Sequence, residues 1–227
     1  MELEKITRGG QGDPKRRYDD ACGTAHALEL IGDRWTLLVL RELLLGPRRF
    51  SQLRGDLPGL SANVLTQRLT ELEERGLVRR RKLPPPASVQ VYEATDWGLE
   101  VEPIIQSLGR WAARSPLHDP TLPISGVSIL LSFRTMIDEK RARKIDARVG
   151  FVFGGDHYVA RLRKGRIKIA QGDVEGCDLV ISAAPTTLAA VVYGGAPLDR
   201  LGLTGDRGLA ERFVSLFVLP PKVGAGS

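Results

Sequence analysis

Between Leu60 and Arg81 the sequence LSANVLTQRLTELEERGLVRRR sets polar amides and hydroxyls ahead of a run of arginines. Side-chain amides can form paired hydrogen bonds with an adenine edge in a DNA major groove, and arginines hold neighbouring phosphates. At about 3.6 residues per turn, Asn63, Thr66, Gln67 and Thr70 project from one side of a helix while Leu65, Leu69 and Leu72 form an apolar stripe on the other. Ser61 stands where an N-cap belongs and Gly76 where a helix stops. The acids Glu71, Glu73 and Glu74 are held back to the C-terminal end, and Arg79, Arg80 and Arg81 follow with Lys82. The charge therefore changes sign along the segment. An ordinary amphipathic surface helix followed by a charged strand has the same pattern, so the flanking elements must decide.

Those elements are legible on both sides. From Thr24, AHALELIG predicts a short helix, and RWTLLVLRELLLG from Arg34 a second, strongly apolar one ended by Gly46 and Pro47. RRFSQLRGDLPGL places Phe50, Leu53 and Leu57 at helical spacing, with Arg48, Arg49 and Arg54 outside, and stops near Pro58 and Gly59. Helices joined by a short turn before the last are a helix-turn-helix, in which the final helix enters the major groove and its predecessor braces on the backbone. After Gly76, LVRRRKL and VQVYEAT read as two strands, with PPPAS as a stiff tip that cannot extend the ladder. Asp96 is the expected cap of a further helix whose apolar face is Leu99, Ile104, Ile105, Leu108 and Trp111; Pro103 predicts a kink, or a start delayed to about Glu102.

The phrases GDRW, LREL, GPRRFSQL and LTQRLTELEERGLV, in this order and followed by VYEATDWG, resemble the HxlR-type branch of the MarR-like winged-helix transcriptional regulators over residues 21–115. The resemblance implies a homodimer joined through the N-terminal helix and the helix after the wing, and a double-stranded DNA partner carrying a palindromic operator. It implies that the helix opened by Ser61 reads the major groove and that residues 77–95 lie along the backbone or minor groove. The expected DNA-contacting residues are Arg48, Arg49, Ser61, Asn63, Thr66, Gln67, Arg68, Thr70, Arg79, Arg80 and Arg81. The wing phrase PPPASVQVY is longer and richer in proline than the family's pattern. Some members use a cysteine just before the first helix as a thiol sensor, and Cys22 stands at that position; a packed, inert cysteine is the other reading.

Pro116, Pro120 and Pro123 mark residues 116–125 as a linker. Beyond it come a helix at VSILLSFRTMI, three strands in KIDARVGFVFGG, HYVARLRKG and RIKIAQGD, a strand at DLVISA, a helix at PTTLAAVVYGG, a strand at LGLTGD and a helix at GLAERFVSLF. The fold class is α+β: a winged helix, then a mainly antiparallel sheet packed by helices. This order and the phrases RKGRIKIAQGD, CDLVISAAPTTLAAVVYGGAPL and LTGDRGLAERFVSLF resemble the sterol-carrier-protein-type domains over residues 126–220. That resemblance implies an apolar tunnel for a hydrophobic small-molecule ligand, with Ile129, Phe133, Phe153, Leu188, Val192 and Phe217 as candidate lining. Those side chains also suit a plain core.

The formal net charge of +6 permits an anionic partner. Residues 1–115 hold 18 Lys+Arg and 16 Asp+Glu, and residues 116–227 hold 15 and 11, so the excess is not concentrated in the DNA-reading half. Residues 1–20 read as a polar arm in which Lys15, Arg16 and Arg17 could touch phosphate, or simply be solvated. Cys22 and Cys177, with no partners at ligand spacing, argue against a disulfide framework or a zinc site, and no stretch has the length of a membrane span. A cytoplasmic protein is expected. The sequence sets no nucleophile beside a base, no carboxylate pair and no phosphate-cradling loop, so no catalytic, cofactor or metal site is expected. These readings converge on a homodimeric DNA-binding regulator that answers to a hydrophobic effector. The alternatives are a lipid carrier with a dimerising winged helix and a redox regulator acting through Cys22.

Overall fold

Leu40, Leu53, Leu65 and Leu69 lie one to a segment or two, and their complete burial draws the first helices together. In the computed structural model, which describes residues 18–224, α1 spans Gly23–Ile31, α2 Thr36–Leu43, α3 Phe50–Asp56 and α4 Ala62–Glu74. The expected N-terminal arm lies largely outside the described residues. Strands β1 (Val78–Lys82) and β2 (Gln90–Ala94) pair antiparallel, with Arg80 opposite Tyr92. The following helix is broken: α5 (Asp96–Leu99) stops before α6 (Glu102–Ala112), which starts at Glu102 because Pro103 is tolerated in a first turn and not in an interior. Thr95, not Asp96, caps α5, its hydroxyl accepting the Gly98 N–H at 3.1 Å and donating to the Gly76 carbonyl at 2.7 Å.

The second half runs α7 (Gly126–Met136), α8 (Glu139–Ala142), β3 (Ala147–Phe153), β4 (Asp156–Arg163), β5 (Arg166–Gln171), β6 (Leu179–Ser182), α9 (Pro185–Gly194), β7 (Gly202–Gly205) and α10 (Arg207–Val214). The strands form one mixed sheet in the order β5-β4-β3-β6-β7. Neighbours are antiparallel except β3 and β6, which run parallel because the chain returns from the β5 edge to the far side of β3.

The core of this half is aromatic. The Phe133 ring stacks on Phe217 at 4.3 Å between centroids and meets Phe213 edge-on at 5.5 Å, with Phe151 and Tyr193 at 6.0 and 6.4 Å. Rings at these separations are in van der Waals contact. Of the expected tunnel lining, Ile129, Phe133, Phe153, Leu188 and Phe217 are buried in this core and Val192 is half-buried at its margin.

Hydrophobic burial runs without a break from Val39 to Phe217, and polar contacts stitch the two halves together. Ser125, the N-cap of α7, donates to the buried Glu42 carboxylate of α2 at 2.8 Å. The Gln171 N–H donates to the Leu45 carbonyl at 3.1 Å, and Arg134 of α7 grips Glu102 of α6 at 2.6 Å. At the centre of the seam is Arg48, only 2% exposed. Its guanidinium pairs with Asp56 at the end of α3, with Asp156 of β4 at 2.7 Å, and donates to the Tyr158 hydroxyl at 3.0 Å; Gln52 adds a hydrogen bond to Asp156 at 2.8 Å. Burial opposes the Arg48 charge, but Tyr158, Asp156 and Asp56 outweigh it and hold the guanidinium above its usual range. Burial pushes the Tyr158 hydroxyl up to about 12 although Arg48 pulls the other way, so it stays protonated. Arg48, expected on the DNA backbone, is thus a cation shared between the two halves with no face left for a phosphate.

Replacing Arg48 with alanine leaves two half-buried carboxylates without their cation. Urea denaturation of Arg48→Ala should lose roughly 3–5 kcal/mol, with a smaller loss for Asp156→Asn. A change within about 0.5 kcal/mol for Arg48→Ala would mean that the seam does not depend on this pair.

Candidate nucleic-acid interface

Helix α4 owes its orientation to its own leucines. Leu65, Leu69 and Leu72 are buried against α2 and the wing, which turns Asn63, Thr66, Gln67 and Thr70 outward on α4, all four exposed. Ser61 caps the helix, its hydroxyl accepting the Val64 N–H at 3.3 Å. Of the four outward residues, Thr66 donates to the Ala62 carbonyl at 2.9 Å and Gln67 donates through Nε2 to Glu71 at 3.1 Å, which steadies the Gln67 amide while leaving its oxygen outward-facing. No acidic residue lies in the first turn of α4, so the positive end of the helix is uncompensated there.

Two arginines drawn from the sequence leave this surface. Arg48 belongs to the seam described above. Arg68 is buried between Asp33, in the turn after α1, and Glu71 at 2.9 Å; it locks the start of α2 to α4 and is not available to DNA. The reason is periodicity: position 68 falls on the flank of the leucine stripe, where only a paired charge is tolerated. Arg49, by contrast, is exposed at the N-cap of α3, its N–H held by Gln52 at 2.9 Å.

On the wing, Arg79 and Arg81 point to one side and both pair with Glu93 on β2, Arg79 at 2.6 Å. Arg80, on the opposite side, pairs with Glu73 of α4 at 2.9 Å and lies 6.0 Å over the Tyr92 ring. The arginines at 79, 80 and 81 remain exposed. Each guanidinium spends its Nε edge on a carboxylate and keeps other donors facing solvent, so the acids position the cations. Glu93, holding two arginines, was not singled out by sequence because a single acid on a strand carries no periodic signal. Despite its burial, the two arginines keep its carboxyl below the usual range.

Cys22 stands exposed at the N-cap of α1. The nearby Thr24 N–H and hydroxyl, then the Ala25 N–H, favour the thiolate and lower the pKa of its thiol below the ordinary value.

Comparison with known proteins fits this geometry. The family described as HxlR-like helix-turn-helix matches residues 30–118, from the end of α1 past the end of α6. The chain is 38% identical over 86 residues to the HTH-type transcriptional regulator YvaP of Bacillus subtilis, covering 38% of this chain and 80% of that protein. It is 38% identical over 93 residues to the HTH-type transcriptional regulator sll1512 of Synechocystis, covering 41% and 69%, and 34% identical over 86 residues to the HTH-type transcriptional regulator YodB of Bacillus subtilis, covering 38% and 77%. These relatives are transcriptional regulators and not enzymes, and no helix among the described residues is long and apolar enough to cross a membrane. With a capped polar helix, a charged wing and this kinship over the same residues, the chain belongs to the HxlR-like helix-turn-helix family and is a DNA-binding transcriptional regulator.

Proposed function

We propose that two copies of this chain bind a palindromic operator, with residues 21–115 as the DNA-binding and dimerising unit, 116–125 as the connection and 126–220 as the responsive unit. The observation that carries the dimer is the outer face of α6. Ile104, Leu108 and Trp111, the last 73% exposed, line an apolar hollow with Pro103 and Ser107, and Leu28 of α1 is exposed as well. Large apolar side chains left in water at helical spacing favour burial against a like surface. Asn63, Thr66, Gln67 and Thr70 then read bases, while Arg49, Ser61, Arg79, Arg80 and Arg81 hold backbone phosphates.

The responsive unit is proposed to be sterol-carrier-protein-like. Its element order supports this, and beside α6 lies a groove of about 800 Å³ in which Ile137, Ile167 and Ile169 are flanked by the cations Arg134, Arg161, Arg166 and Lys168, so that an anionic end would suit its ligand. A hydrophobic ligand with a polar end, seated there, would touch the helix that carries the proposed dimer face. It would act only so far as it prefers one arrangement of that helix over another.

The division of labour is tested by binding assays over a panel of sequences and salt concentrations. Gln67→Ala should relax discrimination at one base position by about 1–3 kcal/mol. Arg80→Ala should weaken binding to every sequence and flatten the salt slope by about 1. Equal loss from both variants on all sequences would refute the assignment. Native mass spectrometry tests the assembly: the wild-type chain should be a dimer and Leu108→Asp/Trp111→Asp a folded monomer, and the same spectra should reveal any retained hydrophobic molecule. A double variant that remains dimeric would place the interface elsewhere, and a wild-type dimer that never carries a ligand would count against the responsive groove.

Cys22 supports a second reading, a thiol-sensing regulator. An exposed thiol at a helix N-terminus, beside backbone N–H groups that favour its thiolate, is the kind that oxidants attack first. Alkylation of Cys22 should reach half its maximal rate at a lower pH than alkylation of an unstructured cysteine peptide measured alongside it. Oxidant should alter DNA binding in the wild type and not in Cys22→Ser; an identical oxidant response in both would dismiss this reading.

A further inference from the structure

A second run of positive charge, matching the one at residues 75–82 of the winged helix, lies outside it. Of the eight residues from Arg161 to Lys168 five are cationic and none is acidic, on a chain whose whole net charge is +6. The sheet register collects them. Arg148, Arg161 and Lys168 stand directly across from one another on β3, β4 and β5, and Arg163 faces Arg166 in the next row. Side chains alternate between faces along a strand, so all five lie on the side away from Phe151, Ala160, Leu162 and Ile169, which are buried against the helices. Arg161, Arg163, Lys164, Arg166 and Lys168 are exposed and Arg148 is half-buried.

Like charges directly opposite one another destabilise a sheet, and little on the chain relieves these. Asp146 pairs with both Arg161 and Arg163, the latter at 3.7 Å. Asp178 accepts the Arg148 backbone N–H, and Glu139 and Glu102 stand at the rim beside β5. Among the described residues Lys164, Arg166 and Lys168 make no ion pair. The hairpin tip is held in place as well. Lys164 has a positive φ of 52°, where glycine, asparagine or aspartate would be easier, and Gly165 packs so close to the Glu139 carbonyl that a Cβ would stand 2.7 Å from it. The cations are thus preorganised on a rigid surface.

We infer that this outer face of β3, β4 and β5 is a second phosphate-binding surface, engaging DNA that flanks the segment held by α4. The inference rests on the DNA-binding activity of the chain. That activity also selects the partner, because a bound duplex presents its phosphates to the rest of the same molecule at high effective concentration. Distance sets the placement. Asp156, at the start of β4, touches Arg48 and Gln52 beside α3, whereas Arg163 lies seven residues further along the strand, about 23 Å away. The proposal places these contacts outside the segment held by α4, where phosphate contacts carry no base information and add affinity and salt dependence.

The test compares the full-length wild type with Arg163→Gln/Arg166→Gln/Lys168→Gln on two mixed-sequence duplexes, one of about two helical turns and one of about six. Affinity is measured by fluorescence anisotropy over a range of salt. On the long duplex the variant should have a log K against log salt slope shallower than wild type by about 2–3. On the short duplex the two proteins should agree. The charge-preserving Arg163→Lys/Arg166→Lys/Lys168→Arg should keep the wild-type slope on both. A wild-type slope for the glutamine variant on the long duplex overturns the proposal, as does an equal loss in the charge-preserving variant. A wild type that binds neither duplex would overturn the DNA-binding reading itself, and this surface with it.

Discussion

A single buried cation ties the molecule together. Arg48 sits between Asp56, which ends α3, and Asp156 and Tyr158, which begin β4, so the brace helix of the helix-turn-helix and the large sheet share one guanidinium. A charge out of water is tolerated only when it is fully paired, and removing any partner exposes the rest to that cost. The arrangement makes the position of the sheet relative to α3 a matter of geometry and not of linker length. Gln52, Gln171 and Ser125 reinforce it with hydrogen bonds on either side. These contacts join the two halves across several elements and give the proposed responsive unit a stiff path to the helix-turn-helix.

The polar surfaces are organised by the same rule in milder form. On the wing, Glu93 orients Arg79 and Arg81, and Glu73 orients Arg80, so that acids placed behind the cations set the direction of their free donors. On α4 the apolar stripe does the orienting, and of the outward residues Thr66 is tied to the Ala62 carbonyl and Gln67 to Glu71. A helix that reads bases needs side chains steadied but not consumed. The outer face of the sheet differs: its arginines stand opposite one another with one aspartate among them, an arrangement that lacks a balancing charge on the chain itself.

The helix-turn-helix, the wing and the start of α6 at Glu102 were legible from residue order because they depend on local signals: leucines at helical spacing, glycine and serine at helix ends, and a proline that a helix interior rejects. The strands of the second half were legible for the same reason, although the parallel pairing of β6 with β3 was not, since strand order follows from how the chain crosses back and not from alternation along any one strand.

What the sequence determined by itself, then, is the set of elements and the face of α4 that looks outward. Tertiary structure decided which charges work at the surface. Arg48 and Arg49 are adjacent and chemically identical, yet one is buried and the other exposed, because Asp156, 108 residues away, comes to meet the first. Arg68 looks like a groove contact until Asp33 folds against it. The proposed tunnel residues show the same limit in the core. Periodicity says that Phe133 and Phe217 face inward, but only the fold decides that they stack on one another at 4.3 Å. Local pattern fixes direction; occupancy depends on what else arrives at the same place, and those contacts join residues far apart in the chain.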